Sequence, residues 1–440
     1  MRISVIGCGY LGAVHAAAMA DLGHDVVAVD VDTAKVAMLA AGKTPFFEPG
    51  LPEILASSLA SGRLTFTADI SAVTGCDVHF IAVGTPQSAG SNAADMRFVD
   101  AAIAALIPHL TDDDLVVGKS TVPVGTAARL QGMIAAGGSK AELAWNPEFL
   151  REGHAVKDTL SPDRLVYGVA PGPRRDGVVA RLNAVYAATV AAGTPVVVTD
   201  QATAELVKTA ANAFLATKIS FINAMSEITD AVGANVTELA DAIGYDTRIG
   251  RRFLNAGVGF GGGCLPKDIR AFVARAEELG QGQSLAFLTE VDAINQRQRT
   301  RVVDLVRGAA ASVDADIATA KIAVLGLAFK PYSDDVRDSP ALDVALNLAA
   351  LGADVVAFDP EANGSARLRF PDLTTAETAE QALADADVIV LVTEWPEFIA
   401  LDPARVATLV RRRAIVDARN VLDADAWRAE GFTMVSMGRP

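Results

Sequence analysis

Apolar residues along this chain come in short β-rich runs separated by stretches with helical spacing. Arg2–Ile6 predicts a strand, a helical stretch runs to about Leu22, and Asp25–Val29 predicts a second strand. Residues 77–86 read as a buried strand ending in a loop and 115–121 as another, which places Thr85 and Thr121 near the carboxyl ends of strands. The plan returns near the C-terminus: 321–330 resembles the opening strand and turn, 351–359 closely resembles 22–30, and 386–393 echoes 76–84. Between the two regions the pattern is helical. Residues 202–232 are Ala-rich and free of Pro and Gly, enough for roughly eight helical turns, and 266–279 and 284–307 predict two more helices. Strands alternating with helices imply parallel sheets covered on both faces.

The first turn refines this picture. Gly7-Cys8-Gly9-Tyr10-Leu11-Gly12 lies between the first strand and its helix, and the second strand ends at Asp30. Strand, Gly-x-Gly-x-x-Gly, helix, strand and acid make the full dinucleotide-binding context. Gly7 permits the tight turn, Gly9 lets a pyrophosphate approach the backbone, and Gly12 lets the helix pack close. The helix N-terminus offers unsatisfied N–H groups and a positive dipole end to the diphosphate. Asp30 can accept hydrogen bonds from a ribose 2′-OH and would repel a 2′-phosphate, which favours NAD over NADP. Lys35 reads equally as a solvated helix lysine or an adenosine contact. The C-terminal repeat lacks the complete glycine fingerprint and reads as a related α/β domain for a different nucleotide, the alternative being a purely structural duplicate. The predicted fold is α/β: two Rossmann-like domains joined by a long central helix and a helical dimerisation region, with boundaries at 1–200, 201–307 and 308–440.

Composition removes several function classes. With 440 residues the chain is too long for one core. A formal charge of -15 argues against nucleic acid, though a few local cations or N–H groups would still serve a small anion. Three cysteines make no disulfide framework, and His15, His24, His79, His109 and His154 show no metal-ligand spacing. Nothing resembles a signal peptide or a membrane span. The expectation is a cytoplasmic, metal-free enzyme.

The chemistry concentrates in mid-chain. Glycines at 257, 259, 261, 262 and 263 precede Cys264, and Pro266 suits the first turn of a helix. Such glycine density implies close backbone approach to a ligand or left-handed turns. Cys264 then sits at a helix N-terminus, where the dipole, with Lys267 nearby, favours the thiolate. Cys8 and Cys76 read as core residues. Lys208 and Asn212, four residues apart, share a helix face with Glu205 and could meet a developing oxyanion; alone they are a polar stripe. Glu148 and Glu152 read equally as a carboxylate pair and as an exposed helix turn.

Taken together and in order, Gly7–Gly12, Val83–Pro86, Ser120–Pro123, Asn146–Leu150, Lys208–Asn212, Gly261–Asp268 and Gly326–Lys330 resemble the UDP-glucose/GDP-mannose dehydrogenase family over nearly the whole chain. The resemblance implies oxidation of a sugar C6 alcohol to the acid with two NAD+. Lys208, Asn212 and a water held by Asp268 would manage the first proton and oxyanion. Cys264 would form a thiohemiacetal and then a thioester, hydrolysed by water near Asp268, Thr121 and Glu148. The thiolate is needed because a carbonyl has no hydride to give until a nucleophile adds. The cofactor set it implies is Gly7, Gly9, Tyr10, Leu11, Gly12, Asp30, Lys35, Thr85, Thr121, Glu152 and Arg337.

For the substrate it implies Glu148, Phe149, Leu150, Lys208 and Asn212, with Phe253, Leu254, Asn255, Gly257, Phe260 and Gly261 from the glycine loop. Lys330 and Arg419 would hold nucleotide or sugar, and Arg248 would reach the neighbouring subunit of a homodimer. Two positions depart from the usual pattern: Ala418 replaces a glycine before Arg419, and Gly263 replaces a serine before Cys264. Phe253–Phe260 and Lys208–Phe214 resemble the UDP-glucose branch, so UDP-glucose to UDP-glucuronate is expected, with GDP-mannose or a related sugar as the alternative. A single-step hydroxyacid dehydrogenase would need neither Cys264 nor the second α/β half. A catalytically silent nucleotide sensor would not need the Cys264, Lys208, Asn212 and Asp268 set.

Overall fold

The computed structural model describes residues 1–440. Eight strands form the first sheet: β1 (Arg2–Ile6), β2 (Asp25–Val29), β3 (Leu64–Thr67), β4 (Val78–Ile81), β5 (Leu115–Gly118), β6 (Glu142–Trp145), β7 (Leu165–Val169) and β8 (Val196–Thr199). Their order is β3-β2-β1-β4-β5-β6-β7-β8, and all neighbours run parallel except β6 and β7. Ile6 pairs with Val29 on one side and Ile81 on the other, so the strand order reverses at β1 and opens a crevice beyond the strand ends. Strands β4 and β5 are buried on both faces, hence their unbroken apolar runs. The helix Tyr10–Asp21 is buried from Gly12 to Ala20, and its alanines let it lie close to the sheet.

The second sheet contains β9 (Lys321–Leu325), β10 (Asp354–Phe358), β11 (Val388–Leu391), β12 (Ala414–Asp417) and β13 (Thr433–Ser436). The order β10-β9-β11-β12-β13 is parallel throughout. This is the β2-β1-β4-β5-β6 segment of the first sheet built again, and a single parallel bridge from Ala357 to Thr375 stands where the counterpart of β3 would lie. The two Rossmann-like sheets predicted from the hydrophobic pattern are therefore present.

By compactness the chain divides into one unit of Met1–Ala211 with Ala271–Gly282, and a second of Asn212–Arg270 with Gln283–Pro440. The long helix spans Gln201–Val232, within a residue of the predicted start. The other central helices are Leu265–Glu278 and Ala286–Ser312. The last of these runs further than its sequence pattern implied, because Ala309 and Ala310 extend its apolar face into the core of the second unit. One expectation fails: residues 146–153, read as a possible helix turn, form an irregular loop after β6. Pro147 explains this, since it lacks an N–H and disfavours helix at Asn146.

Candidate active site

The glycine turn has the form its sequence implied. Gly7 has φ 94°, and a Cβ at Gly12 would fall 1.7 Å from the Gly7 carbonyl oxygen, so no larger residue fits there. Gly9 differs: a Cβ there meets nothing within 4 Å. The helix that follows has no side-chain cap, so its first N–H groups face the same open side. This cradle fits a diphosphate. Asp30 accepts from the Cys8 N–H at 2.7 Å and the Asp32 N–H at 2.9 Å. Lys35 is neither free in solvent nor aimed away: its Nζ lies 3.2 Å from Asp30 Oδ2. Tyr10 donates to the buried Glu48, which also accepts from the Gly153 and Ala155 N–H groups at 2.6 and 2.7 Å. Glu48 thus ties the fingerprint helix to the loop that carries Glu148 and the buried Glu152. Nothing in its local sequence marked it.

Beyond β4 and β5 the two threonines meet, Thr85 donating to the Thr121 carbonyl at 2.8 Å. In the same unit, Glu148 Oε1 lies 2.9 Å from Lys208 Nζ, and Glu148 Oε2 accepts from the Leu150 N–H at 2.7 Å. The ring of Phe149 is covered by the Arg164 guanidinium, 3.7 Å from its centroid. Glu205 does not join Lys208. Its carboxylate accepts from the Gly125 and Ala127 N–H groups at 2.7 and 2.6 Å and caps the helix Thr126–Ala136. Burial pushes its pKa up to about 7 against those two bonds.

In the second unit Asn212 Nδ2 donates to Asp268 Oδ2 at 2.7 Å, and Lys267 Nζ lies 2.6 Å from Asp268 Oδ1. Both oxygens of this buried carboxylate are engaged, and the ion pair turns the Lys267 charge towards Asp268. Cys264 is exposed and immediately precedes the helix Leu265–Glu278, whereas Cys8 and Cys76 are buried. Lys208 and Asn212 are consecutive turns of the one long helix, which bears a residue of each carboxylate cluster.

The glycine loop takes the left-handed turns that were one of its two expected explanations, at Gly259 with φ 102° and Gly262 with φ 84°. Its crowding comes from the protein. A Cβ at Gly257 would lie 2.6 Å from the Ala418 carbonyl oxygen, and one at Gly261 2.3 Å from that of Asp338. Asn295, fully buried on the helix Ala286–Ser312, accepts from the Phe260 N–H and donates to its carbonyl, both at 2.8 Å. Asn223 accepts from the Gly257 N–H at 2.8 Å. These asparagines were not singled out by the sequence, because an Asn inside a helix resembles any surface polar residue until its burial is known. The Gly263 backbone packs against the Arg337 guanidinium, itself paired with Asp335 at 2.7 Å.

Other expected substrate residues are spread over the second unit. Leu254 and Phe260 are buried, Asn255 is exposed and accepts from Arg251 at 2.7 Å, and Phe253 has φ 66°. Arg248 is exposed and paired with Asp246. Lys330 is half-buried in the turn after β9. Arg419 donates to the Val392, Gly259 and Phe329 carbonyls at 2.8, 3.1 and 3.1 Å, so it ties the glycine loop to the ends of β9 and β11.

Models of the family's NAD-binding, central and UDP-binding domains match residues 1–190, 202–297 and 323–424 in turn. The chain belongs to the UDP-glucose/GDP-mannose dehydrogenase family. Within this family it is 44% identical over 443 residues to the UDP-glucose 6-dehydrogenase of Rhizobium meliloti, covering 100% of both chains. It is 40% identical to the UDP-glucose 6-dehydrogenase TuaD of Bacillus subtilis, over 100% of this chain and 93% of that one. A solved UDP-glucose dehydrogenase from Pyrobaculum islandicum aligns with a TM-score of 0.90 at 38% identity, covering 100% of this chain and 98% of that one. Membership makes this protein an NAD-dependent dehydrogenase of nucleotide sugars. No helix is long and apolar enough to cross a membrane.

Proposed function

We propose that this chain oxidises UDP-glucose to UDP-glucuronate in two successive dehydrogenations. The observation that carries this reading is the single exposed thiol, Cys264, at a helix N-terminus after the glycine loop. A simple alcohol dehydrogenase has no use for it; an enzyme that proceeds to the acid does. Residues 1–200 would hold NAD, 201–307 would carry the thiol, and 308–440 would hold the uridine diphosphate.

Gly7, Gly9, Tyr10, Leu11 and Gly12 hold the dinucleotide diphosphate, Asp30 with Lys35 its adenosine ribose, and Thr85, Thr121, Glu152 and Arg337 complete that site. Bound NAD+ supplies the hydride acceptor. Lys208 and Asn212 stabilise the alkoxide oxygen, and Asp268 receives the hydroxyl proton through water. Cys264 then adds to the aldehyde carbon, which keeps the aldehyde from leaving. After the second oxidation Glu148 and Thr121 direct water at the thioester. Phe149, Leu150, Phe253–Gly261, Lys330 and Arg419 orient the sugar nucleotide. We place the enzyme in the cytoplasm.

We also infer a homodimer. Phe214, Phe221 and Ile228 recur every seven residues on the long helix and are 67%, 48% and 57% exposed. An apolar stripe at that spacing suits a second helix, and the exposed Arg248 is available to a partner's site.

The test is NADH formed per sugar consumed, for wild type and Cys264→Ala, with UDP-glucose and GDP-mannose in parallel. Two NADH per UDP-glucose, with the variant unable to complete turnover, is expected. Two from GDP-mannose alone would move the substrate, and one NADH independent of the thiol would overturn the covalent route.

A further inference from the structure

Lys119 directly follows β5 and is 7% exposed. Its Nζ donates to Asn146 Oδ1 at 3.0 Å and to the Tyr186 hydroxyl oxygen at 3.2 Å. The Phe80 and Tyr186 rings lie 5.8 and 5.7 Å from it. None of these partners is an anion. Burying an ammonium is far costlier than burying a neutral donor, and a glutamine could serve the same two acceptors. The charge therefore calls for an explanation that the hydrogen bonds alone do not provide.

Asn146 supplies one. Its Oδ1 also accepts from the Tyr186 hydroxyl at 2.6 Å, its Nδ2 donates to the Val166 carbonyl at 2.9 Å, and its backbone N–H donates to Gly118 at 2.8 Å. Every polar group of this side chain is fixed. Pro147 follows, then Glu148, whose carboxylate is engaged by Lys208 and by the Leu150 N–H. Glu148 is also the carboxylate whose field opposes the loss of charge that burial imposes on Lys119, whose pKa is pushed down to about 8. Of the other titratable neighbours, the buried His15 is kept neutral by burial and by Lys119 itself, and burial raises the Tyr186 hydroxyl well above its ordinary value.

We propose that Lys119 is a positioning residue for Glu148: it locks the Asn146-Pro147-Glu148 turn and adds, behind Lys208, a second positive charge that steadies the carboxylate for thioester hydrolysis. This rests on the reaction assigned above. In that step the water oxygen bonds to the acyl carbon while one of its protons passes to Glu148. The carbon–sulfur bond breaks with its electron pair on Cys264 Sγ, and the acid formed gives its remaining proton to solvent. No electrons are transferred to or from a redox partner.

Rapid mixing with UDP-glucose and NAD+, followed by acid quench and intact-protein mass measurement, separates this step from the oxidations. Lys119→Gln keeps a donor and loses the charge. It is expected to leave both KM values within about twofold, to lower kcat about tenfold or more, and to accumulate the acyl group on Cys264 after two NADH per site. Lys119→Met, apolar and similar in length, should do the same if the glutamine variant does not fold, and Lys119→Arg should recover part of the hydrolysis rate. Neutral variants that hydrolyse the thioester at the wild-type rate, or lose activity through KM alone, would overturn the proposal. A wild-type enzyme forming one NADH per sugar would instead overturn the four-electron reading, and this inference with it.

Discussion

The two α/β halves share their opening turn bond for bond. Gly7 N–H donates to the Val29 carbonyl and Gly326 N–H to that of Phe358, both at 2.8 Å. Cys8 N–H reaches Asp30 at 2.7 Å, and Leu327 N–H reaches Asp359 at 2.8 Å. At the first residue of each central strand, Arg2 N–H donates to Asp77 and Lys321 N–H to Asp387. The halves part company one residue later. In the N-terminal unit Gly9 is exposed and the helix starts at once; in the C-terminal unit Ala328 is fully buried, and the helix Pro340–Ala350 begins only after Ser339 caps it. Asp359 accepts from Leu327, Ala328, Glu361, Ala362 and the Trp395 indole, and none of it is exposed. Asp30 has fewer backbone donors and a movable lysine. The same acid on the same scaffold is thus saturated where it holds a fold and less so at the position proposed for the ribose.

Exchanging each acid for its amide tests that difference most severely. Asp359→Asn turns an NH2 towards a wall of donors and should cost the C-terminal unit about 3 to 5 kcal/mol in urea unfolding. Asp30→Asn should cost about 1 kcal/mol while shifting the ratio of kcat/KM for NADP over NAD upward about tenfold, because the charge that repels a 2′-phosphate is gone. Equal stability losses would erase the distinction. Next in size is Gly9→Ala. With open space around its Cβ it should melt like wild type, yet bind NAD about ten- to a hundredfold more weakly, by calorimetry. Undiminished affinity would mean the diphosphate does not approach this turn.

How much of this was legible in the sequence follows from the range of the interactions. Strands, the long helix and the glycine turn are set by neighbours in sequence, and their spacing announced them. The acid at the end of β2 was legible because its partner turn lies a fixed strand–helix–strand away. What escaped was tertiary. Glu205 carries the same spacing to Lys208 as a catalytic residue would, and only the folded chain shows it capping a helix from 78 residues away. Asn295, Glu48 and Lys119 are polar residues whose burial makes them important, and burial is a property of the assembled core. The glycine loop was legible in its left-handed turns but not in its packing, because its close neighbours Ala418 and Asp338 are remote in sequence.

The last comparison concerns two buried acids that close turns. Glu205 accepts two N–H groups in the N-terminal unit; Asp417 accepts those of Arg419, Val421 and Leu422 in the C-terminal unit at 3.0, 2.8 and 2.8 Å. Burial raises the pKa of both, Glu205 from 4.5 to about 7. A carboxyl raised in this way holds more protons in the folded state than in the unfolded one, so stability declines as pH rises through the interval between the two values. For Glu205 that interval is pH 4.5 to about 7, with a slope of at most one proton, about 1.4 kcal/mol per pH unit. Urea unfolding of the N-terminal unit across this range should show the decline in wild type and a flatter line in Glu205→Gln, whereas Asp417→Asn should flatten the C-terminal transition and leave the N-terminal slope intact. An unchanged slope in Glu205→Gln would mean that the two N–H bonds and the helix terminus offset the burial of this carboxylate, so that it takes up no extra proton when the N-terminal unit folds.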